Sequence, residues 1–259
     1  MLTAFTAYPD VNEILNLLLA RTSVILGAQF VGMYLYGSLS SGDFDPRSSD
    51  IDFVVITETG LAQDLVFALE NLHKELWTGD LKWAARLEGS YIPKSLIRRH
   101  DPQGPACPTV NEGVFFIDRR GSDWIIQRHV IREQGVILSG PDPKALIDPV
   151  SADEIRQAVY AVLREWWFPM LENPVWLSEH GREYHAFAVI SMCRALHALR
   201  YGVIVSKPVA SKWAQAEFGS RWSELIERAL LSQQHGSGPG FLDETLNFIR
   251  FAREQSLAY

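Results

Sequence analysis

Residues 34–55 read YLYGSLSSGDFDPRSSDIDFVV, and this stretch decides the fold. The β-branched and aromatic run Gln29–Tyr36 has strand character and ends at Gly37-Ser38, where glycine lets the backbone turn and come close to a ligand. A loop with Gly42, Asp43, Asp45 and Pro46 follows, and the apolar run Ile51–Thr57 reads as a second, buried strand. Asp50 and Asp52 open that strand. Residues two apart on a strand share a face, so the spacing puts both carboxylates together and turns Ile51 toward a core. Neighbouring carboxylates repel unless a cation lies between them. Hard oxygen donors suit Mg²⁺, which also takes ligands from substrate phosphates. Ser38 and the amides after it suit the phosphate, as amides at a helix start do. A calcium-binding EF-hand loop is excluded: Arg47 stands where an oxygen ligand is needed, and the bidentate glutamate is missing.

Outward from this block, Val11, Ile14, Leu15, Leu18 and Leu19 fall at helical spacing and predict a helix over 10–27 with Asp10 as its N-cap. Leu61–Trp77 reads as a helix, and Lys82–Glu88 as an alternating strand. Residues 122–134 read as a helix capped by Ser122 and closed by Gly135, with a short strand at Val136–Leu138. The segment 139–149, SGPDPKALIDP, holds three prolines and a glycine and predicts a linker. Strand signals then cease: 152–168, 184–200, 208–217, 221–232 and 240–255 read as helices, and HGSGPG at 235–240 as a loop. Two domains are expected, an α/β domain over 1–148 and an α-helical domain over 149–259.

Of the 259 residues, 47% are hydrophobic and 21% charged, which excludes intrinsic disorder and fibrous architecture. The two cysteines, Cys107 and Cys193, form neither a disulfide framework nor a metal-ligand spacing and point to a reducing compartment. With 24 basic and 31 acidic residues the formal net charge is −7, against the basic excess of a nucleic-acid-binding surface. The amino-terminal residues lack the pattern of a signal peptide, and the apolar run Val24–Tyr36 is too short to span a bilayer. A soluble, cytoplasmic protein with no membrane partner is expected.

Gly37-Ser38 followed by Ser49-Asp50-Ile51-Asp52 resembles the signature of the nucleotidyltransferase superfamily, which includes polymerase-β-like enzymes and antibiotic nucleotidyltransferases. The stretch 193–214, CRALHALRYGVIVSKPVASKWA, resembles the helical domain of the streptomycin/spectinomycin adenylyltransferases. The resemblance implies a polymerase-β-like α/β (α+β) domain, a mixed sheet with packed helices, followed by an all-α bundle, with the active site in the cleft between them. It implies ATP-dependent transfer of AMP to a hydroxyl of an aminoglycoside or aminocyclitol, with pyrophosphate leaving and Mg²⁺ on Asp50 and Asp52. A monomer and a cationic small-molecule substrate are expected.

An alcohol is a poor nucleophile at neutral pH and needs a base near its proton. In the family this is a glutamate on a neighbouring strand, and Glu88 is the matching residue. Lys82, Arg86 and Glu88 share one alternation, so Glu88 is expected on a polar face, as base and as further metal ligand. Residues 186–199 are apolar almost all round, yet contain Arg194, whose guanidinium needs an anionic partner: Glu165 or Glu224 within the fold, or the triphosphate that the resemblance implies. His197 reads as a core histidine. Ser206-Lys207-Pro208 reads as a helix start, where a lysine is unfavourable unless an anion binds. Lys207 is thus a second candidate for the triphosphate.

For the acceptor, cationic rings call for carboxylates and aromatic faces. Trp176, Glu179, Glu183, Tyr184 and His185, read as lying between two helices, supply both. Two other readings compete. One keeps the chemistry with a protein, RNA or metabolite acceptor, an RNA then needing a local patch such as Arg98-Arg99-His100. The other is a non-catalytic nucleotide-binding or antitoxin-like module, disfavoured because Asp50, Asp52 and Glu88 are all present.

Overall fold

The computed structural model describes residues 3–234 and 239–259 and divides into two compact units, Met1–Pro149 and Val150–Tyr259. In the first unit the elements run α1 (Pro9–Leu26), β1 (Phe30–Leu35), α2 (Gly37–Ser41), β2 (Ile51–Thr57), α3 (Gln63–Thr78), β3 (Leu87–Pro93), α4 (Lys94–Arg98), β4 (Cys107–Asn111), β5 (Val114–Asp118), α5 (Asp123–Gln134), β6 (Val136–Ser139) and α6 (Pro143–Leu146). The six strands form one mixed sheet in the order β5-β4-β3-β2-β1-β6. Only β2 and β3 pair in parallel; the other neighbours are antiparallel.

One face of the sheet presents Met33, Leu35, Phe53, Val55 and Tyr91 to a core shared with Val11, Ile14, Leu15 and Leu18 of α1 and with Leu69, Leu72 and Leu76 of α3. The apolar stripe of α1 is this packing surface. That helix is long and apolar enough to cross a membrane by length and composition, and its buried side is accounted for by the sheet. Asp10 does not cap it. Tyr8 holds the N-cap position, and Asp10 sits in the first turn, where its carboxylate meets Lys82 at 2.8 Å.

Three further expectations are corrected. Residues 82–86 are not a strand: Trp83 and Ala84 are both buried, which two successive residues of a half-exposed strand cannot be, and the chain forms a 3₁₀ turn at 84–86 before β3 begins at Leu87. Ser122 precedes α5 with helical backbone angles and its side chain caps nothing. The segment 139–149 is ordered structure of the first unit rather than a linker. It starts at the last residue of β6 and carries α6, the Tyr34 hydroxyl donates to Pro141 O at 2.8 Å, and Asp148 pairs with Arg98 at 3.1 Å and Arg99 at 2.6 Å.

The second unit is helical: α7 (Ala152–Val162), α8 (Val175–Tyr201), α9 (Lys207–Phe218), α10 (Ser220–Gln234) and α11 (Leu242–Ser256), with a π-turn and a 3₁₀ turn over 163–171. A full capping box between Ser151 and Glu154 starts α7. Central α8 is bent at Gly181, whose φ of 70° and ψ of −155° are not helical. Its C-terminal arm is walled in, with Ala186, Ala188, Val189, Met192, Cys193 and Leu196 fully buried. Of the loop expected at 235–240, residues 235–238 lie outside the described residues.

Candidate active site

The site is built at the ends of β1, β2 and β3 on the sheet face opposite α1 and α3. Ile51, Phe53 and Val55 of β2 belong to the core, so Asp52 and Val54 face the other way. Asp52 and Glu88 are direct partners in the parallel register of β2 and β3. Tyr36 continues β1 opposite Asp52, its N–H donating to Asp52 O at 3.1 Å. Partners in register point to the same side of a sheet, so Tyr36, Asp52 and Glu88 form one row across three strands. Exposed Asp50 lies just before β2, while Asp52 and Glu88 are half-buried. Glu88 thus reaches its polar face through its pairing with Asp52, not through the alternation expected over 82–88. Lys82 is occupied by Asp10, and Arg86 donates to the carbonyls of Pro46, Arg47 and Ser49, tying down the loop that leads to Asp50.

Gly37 begins α2 with φ of 63°, in the left-handed region. A methyl group there would also collide with the Asp52 carboxylate. The Gly-Ser turn therefore lies directly against the second aspartate, with Ser38 in the first turn of α2, and the phosphate-loop and carboxylate motifs meet in space. Among the described residues no three His, Cys, Asp or Glu side chains form a ready-made metal cage. An open pair of hard carboxylates beside a tight glycine turn fits Mg²⁺, which keeps waters and takes one or two carboxylates plus substrate phosphates.

Two residues at this face carried no signal in the sequence. Burial, then the Asp52 and Glu88 carboxylates, push the Tyr36 hydroxyl well above its ordinary range, so it remains a protonated donor. Arg120 donates to Ser90 Oγ at 2.9 Å and to Thr109 Oγ1 and Asp118 O, and its guanidinium lies over the Trp124 ring at 5.1 Å. Ser90 is two residues beyond Glu88 on β3, which places a fixed cation one rung deeper on the same face. Arg120 was hidden because β4 and β5, which set its position, were themselves unread.

In the second unit, Arg194 is half-buried in the walled-in arm of α8, and exposed Lys207 is the first residue of α9, after Ser206 at the N-cap position and before Pro208. His197 is a core residue, its ring 4.8 Å from Tyr201 and 5.2 Å from Trp213. The segment with the acceptor candidates is helical and not an interhelical loop, and the Gly181 bend divides it. Trp176 stacks on His180 at 4.5 Å and meets Tyr184 edge-on at 4.7 Å and Trp166 at 5.4 Å, forming an aromatic wall with Glu179 and Glu183 exposed on the same helix. His185 does not belong to that wall. It is 3% exposed; its Nε2 meets Leu177 O at 3.0 Å across the bend of α8, and Nδ1 accepts from the N–H of Phe241, the N-cap residue of α11, at 3.0 Å. Burial lowers its pKa, which agrees with the neutral tautomer those bonds require.

Comparison with known proteins agrees with this architecture. Residues 27–101 match the nucleotidyltransferase domain family, and residues 145–241 match the family "Aminoglycoside adenylyltransferase, C-terminal domain". The chain is 24% identical over 236 residues to an aminoglycoside (3'') (9) adenylyltransferase of Escherichia coli, covering 86% of each chain. It is 25% identical over 239 residues to a spectinomycin 9-adenylyltransferase of Campylobacter jejuni, covering 85% of each. Its fold is similar to that of a spectinomycin adenyltransferase from Enterococcus faecialis solved with ATP and spectinomycin, at a TM-score of 0.74 and 16% identity over 96% of this chain and 99% of that one. Two domain families thus match in this order, a nucleotidyltransferase domain followed by an aminoglycoside adenylyltransferase C-terminal domain, and the chain is similar over most of its length to aminoglycoside and spectinomycin adenylyltransferases.

Proposed function

We propose that the protein transfers AMP from MgATP to a hydroxyl of an aminoglycoside or aminocyclitol of the streptomycin or spectinomycin type, releasing pyrophosphate. The observation that carries this reading is the in-register pair Asp52–Glu88 set against the Gly37 turn. Gly37 and Ser38 hold phosphate oxygens, and Asp50 and Asp52, with Glu88 beside them, hold the cation. Bound Mg²⁺ supplies charge neutralisation at the α-phosphorus and alignment of the leaving pyrophosphate. Glu88 takes the proton of the acceptor hydroxyl, and Arg194 and Lys207 bind the triphosphate tail. For the acceptor, Trp176 and Tyr184 supply ring faces, and Glu179 and Glu183 pair with ammonium or guanidinium groups. Support comes from the curated relatives, which are named for aminoglycoside and spectinomycin adenylylation. Use of MgATP fits a cytoplasmic setting, as do the two free, buried cysteines.

The test is mass spectrometry of small molecules after incubation with MgATP and a panel of aminoglycosides and spectinomycin. The expected product carries the added mass of one AMP. Protein that binds MgATP but modifies no member of the panel would remove the antibiotic acceptor and keep the nucleotide site.

A further inference from the structure

We propose that Arg86 is a positioning residue for the cation site: its guanidinium bridges the loop that ends at Asp50 to the strand that carries Glu88, and so fixes Asp50 relative to the Asp52–Glu88 pair. This rests on the reading of those carboxylates as cation ligands.

The three carboxylates are not held alike. Asp52 and Glu88 are set by the β2–β3 ladder, in which they are register partners. Asp50 precedes β2, so the ladder does not reach it, and its place depends on the loop 42–49. That loop folds on itself, Ser49 N–H donating to Asp45 O at 2.8 Å and Asp45 N–H to Ser49 Oγ at 3.0 Å. Its apolar anchor is Phe44, whose ring lies 4.8 Å from that of Tyr8 and 5.4 Å from that of Trp83. Beyond Phe44 the loop meets Arg86. Nη1 donates to Pro46 O and to Ser49 O at 3.3 Å each, and Nη2 donates to Arg47 O at 3.0 Å. Ser49 O belongs to the peptide group that joins Ser49 to Asp50, so the guanidinium grips the main chain at the first aspartate itself. Arg86 in turn lies two residues before Glu88, at the end of the turn that leads into β3. Its guanidinium carbon is 5.7 Å from the centroid of buried Trp83, the ring that also supports Phe44, so both attachments of the loop share one base. A planar guanidinium presents its donors in a fixed fork and can hold three carbonyls at once, where a single ammonium cannot. Groups that orient metal ligands in this way set the affinity of the site without touching the ion.

The test uses Arg86→Met in the full chain, which keeps an unbranched stem beside Trp83 and removes the guanidinium. The first readout is Mn²⁺ titration in the presence of a non-hydrolysable ATP analogue, with the melting temperature measured alongside. Mn²⁺ affinity is expected to fall about tenfold in a protein that stays folded, and the rate of AMP transfer to fall at limiting Mg²⁺ and recover at excess Mg²⁺. Recovery by metal marks a displaced ligand, since a packing defect does not respond to it. Arg86→Lys keeps the charge without the fork, and its Mn²⁺ affinity is expected between those of wild type and Arg86→Met. Lys82→Met is the comparison: Lys82 lies over the same Trp83 ring at 4.7 Å with its ammonium spent on Asp10, and its loss should leave Mn²⁺ affinity unchanged. Wild-type Mn²⁺ affinity in Arg86→Met overturns the proposal, and so does a loss of transfer that excess Mg²⁺ fails to restore. If Arg86→Met does not fold, Arg86→Lys decides in the same titration, and wild-type affinity there overturns the proposal. If the wild-type protein binds no Mn²⁺ with the analogue, the cation reading itself falls, and this inference with it. Failure to adenylylate any antibiotic leaves the Mn²⁺ comparison intact and counts only against the acceptor.

Discussion

Asp52 and Glu88 stand directly opposite one another across the one parallel strand pair of the sheet, on the face that the core leaves free. Because β2 and β3 run the same way with α3 as the crossover, both strands begin at the same edge. Their first polar residues therefore arrive side by side, next to the turn at Gly37.

Gly37 is the position where geometry and chemistry are most tightly joined. Gly37→Ala is expected to cost about 1–3 kcal/mol from its φ of 63° and to displace the Asp52 carboxylate, with activity lost beyond what stability explains. Gly42→Ala is the matched control: its φ is 80°, but a methyl group there meets nothing within 4 Å. Chemical denaturation and kcat for both variants check this. Equal losses of activity would show that backbone strain alone, and not contact with Asp52, explains Gly37.

Stability should fall in acid through His73. This histidine is 3% exposed, bonded to the Tyr91 hydroxyl at 2.7 Å, with Phe53 and Phe115 stacked beside it, and burial pushes its pKa down to about 4. The unfolded chain binds the proton near pH 6.5 and the folded chain only near pH 4, so stability is lost as pH falls between those values. The full effect is on the order of 3 kcal/mol, and His73→Leu should flatten the curve of unfolding free energy against pH in that window. An unchanged slope in the variant would assign the acid sensitivity to other groups.

His185 and the neighbouring glutamates should separate cleanly. His185→Ala leaves Leu177 O and Phe241 N–H without their partner and is expected to cost about 2–4 kcal/mol, with KM for the acceptor unmoved. Exposed Glu179 and Glu183 should behave the opposite way. Changing both to glutamine is expected to shift the melting temperature little and to raise the acceptor KM about tenfold. Thermal unfolding and steady-state kinetics on the two variants distinguish these roles.

The two strands and the turn of the candidate site were legible because their signals are local: an apolar run, a glycine, and a two-residue carboxylate spacing. Glu88 was legible as a residue, but the physical reason given for it fails. The alternation over 82–88 is an accident of a 3₁₀ turn that buries Trp83 and Ala84, and the pairing that places Glu88 lies in the sheet register, which no local pattern encodes. The hairpin β4–β5 went unread because Pro108 interrupts its first strand and its turn uses Glu112 at a positive φ rather than an Asn-Gly or Asp-Gly pair. Missing that hairpin also hid Arg120. Of the helix at 175–201 only 184–200 was legible, and its first part, before and around the bend at Gly181, reads as a segment between helices.

The measurement closest to the central claim is the rate of AMP transfer by Glu88→Gln against wild type, with MgATP binding and melting temperature measured on the same protein. Replacing the carboxylate with an amide of the same shape removes the base and leaves the row intact. Transfer is expected to fall by about 10²-fold or more, with nucleotide bound and the fold retained. A folded Glu88→Gln protein that transfers AMP at close to the wild-type rate would contradict the role assigned to the Asp52–Glu88 pair.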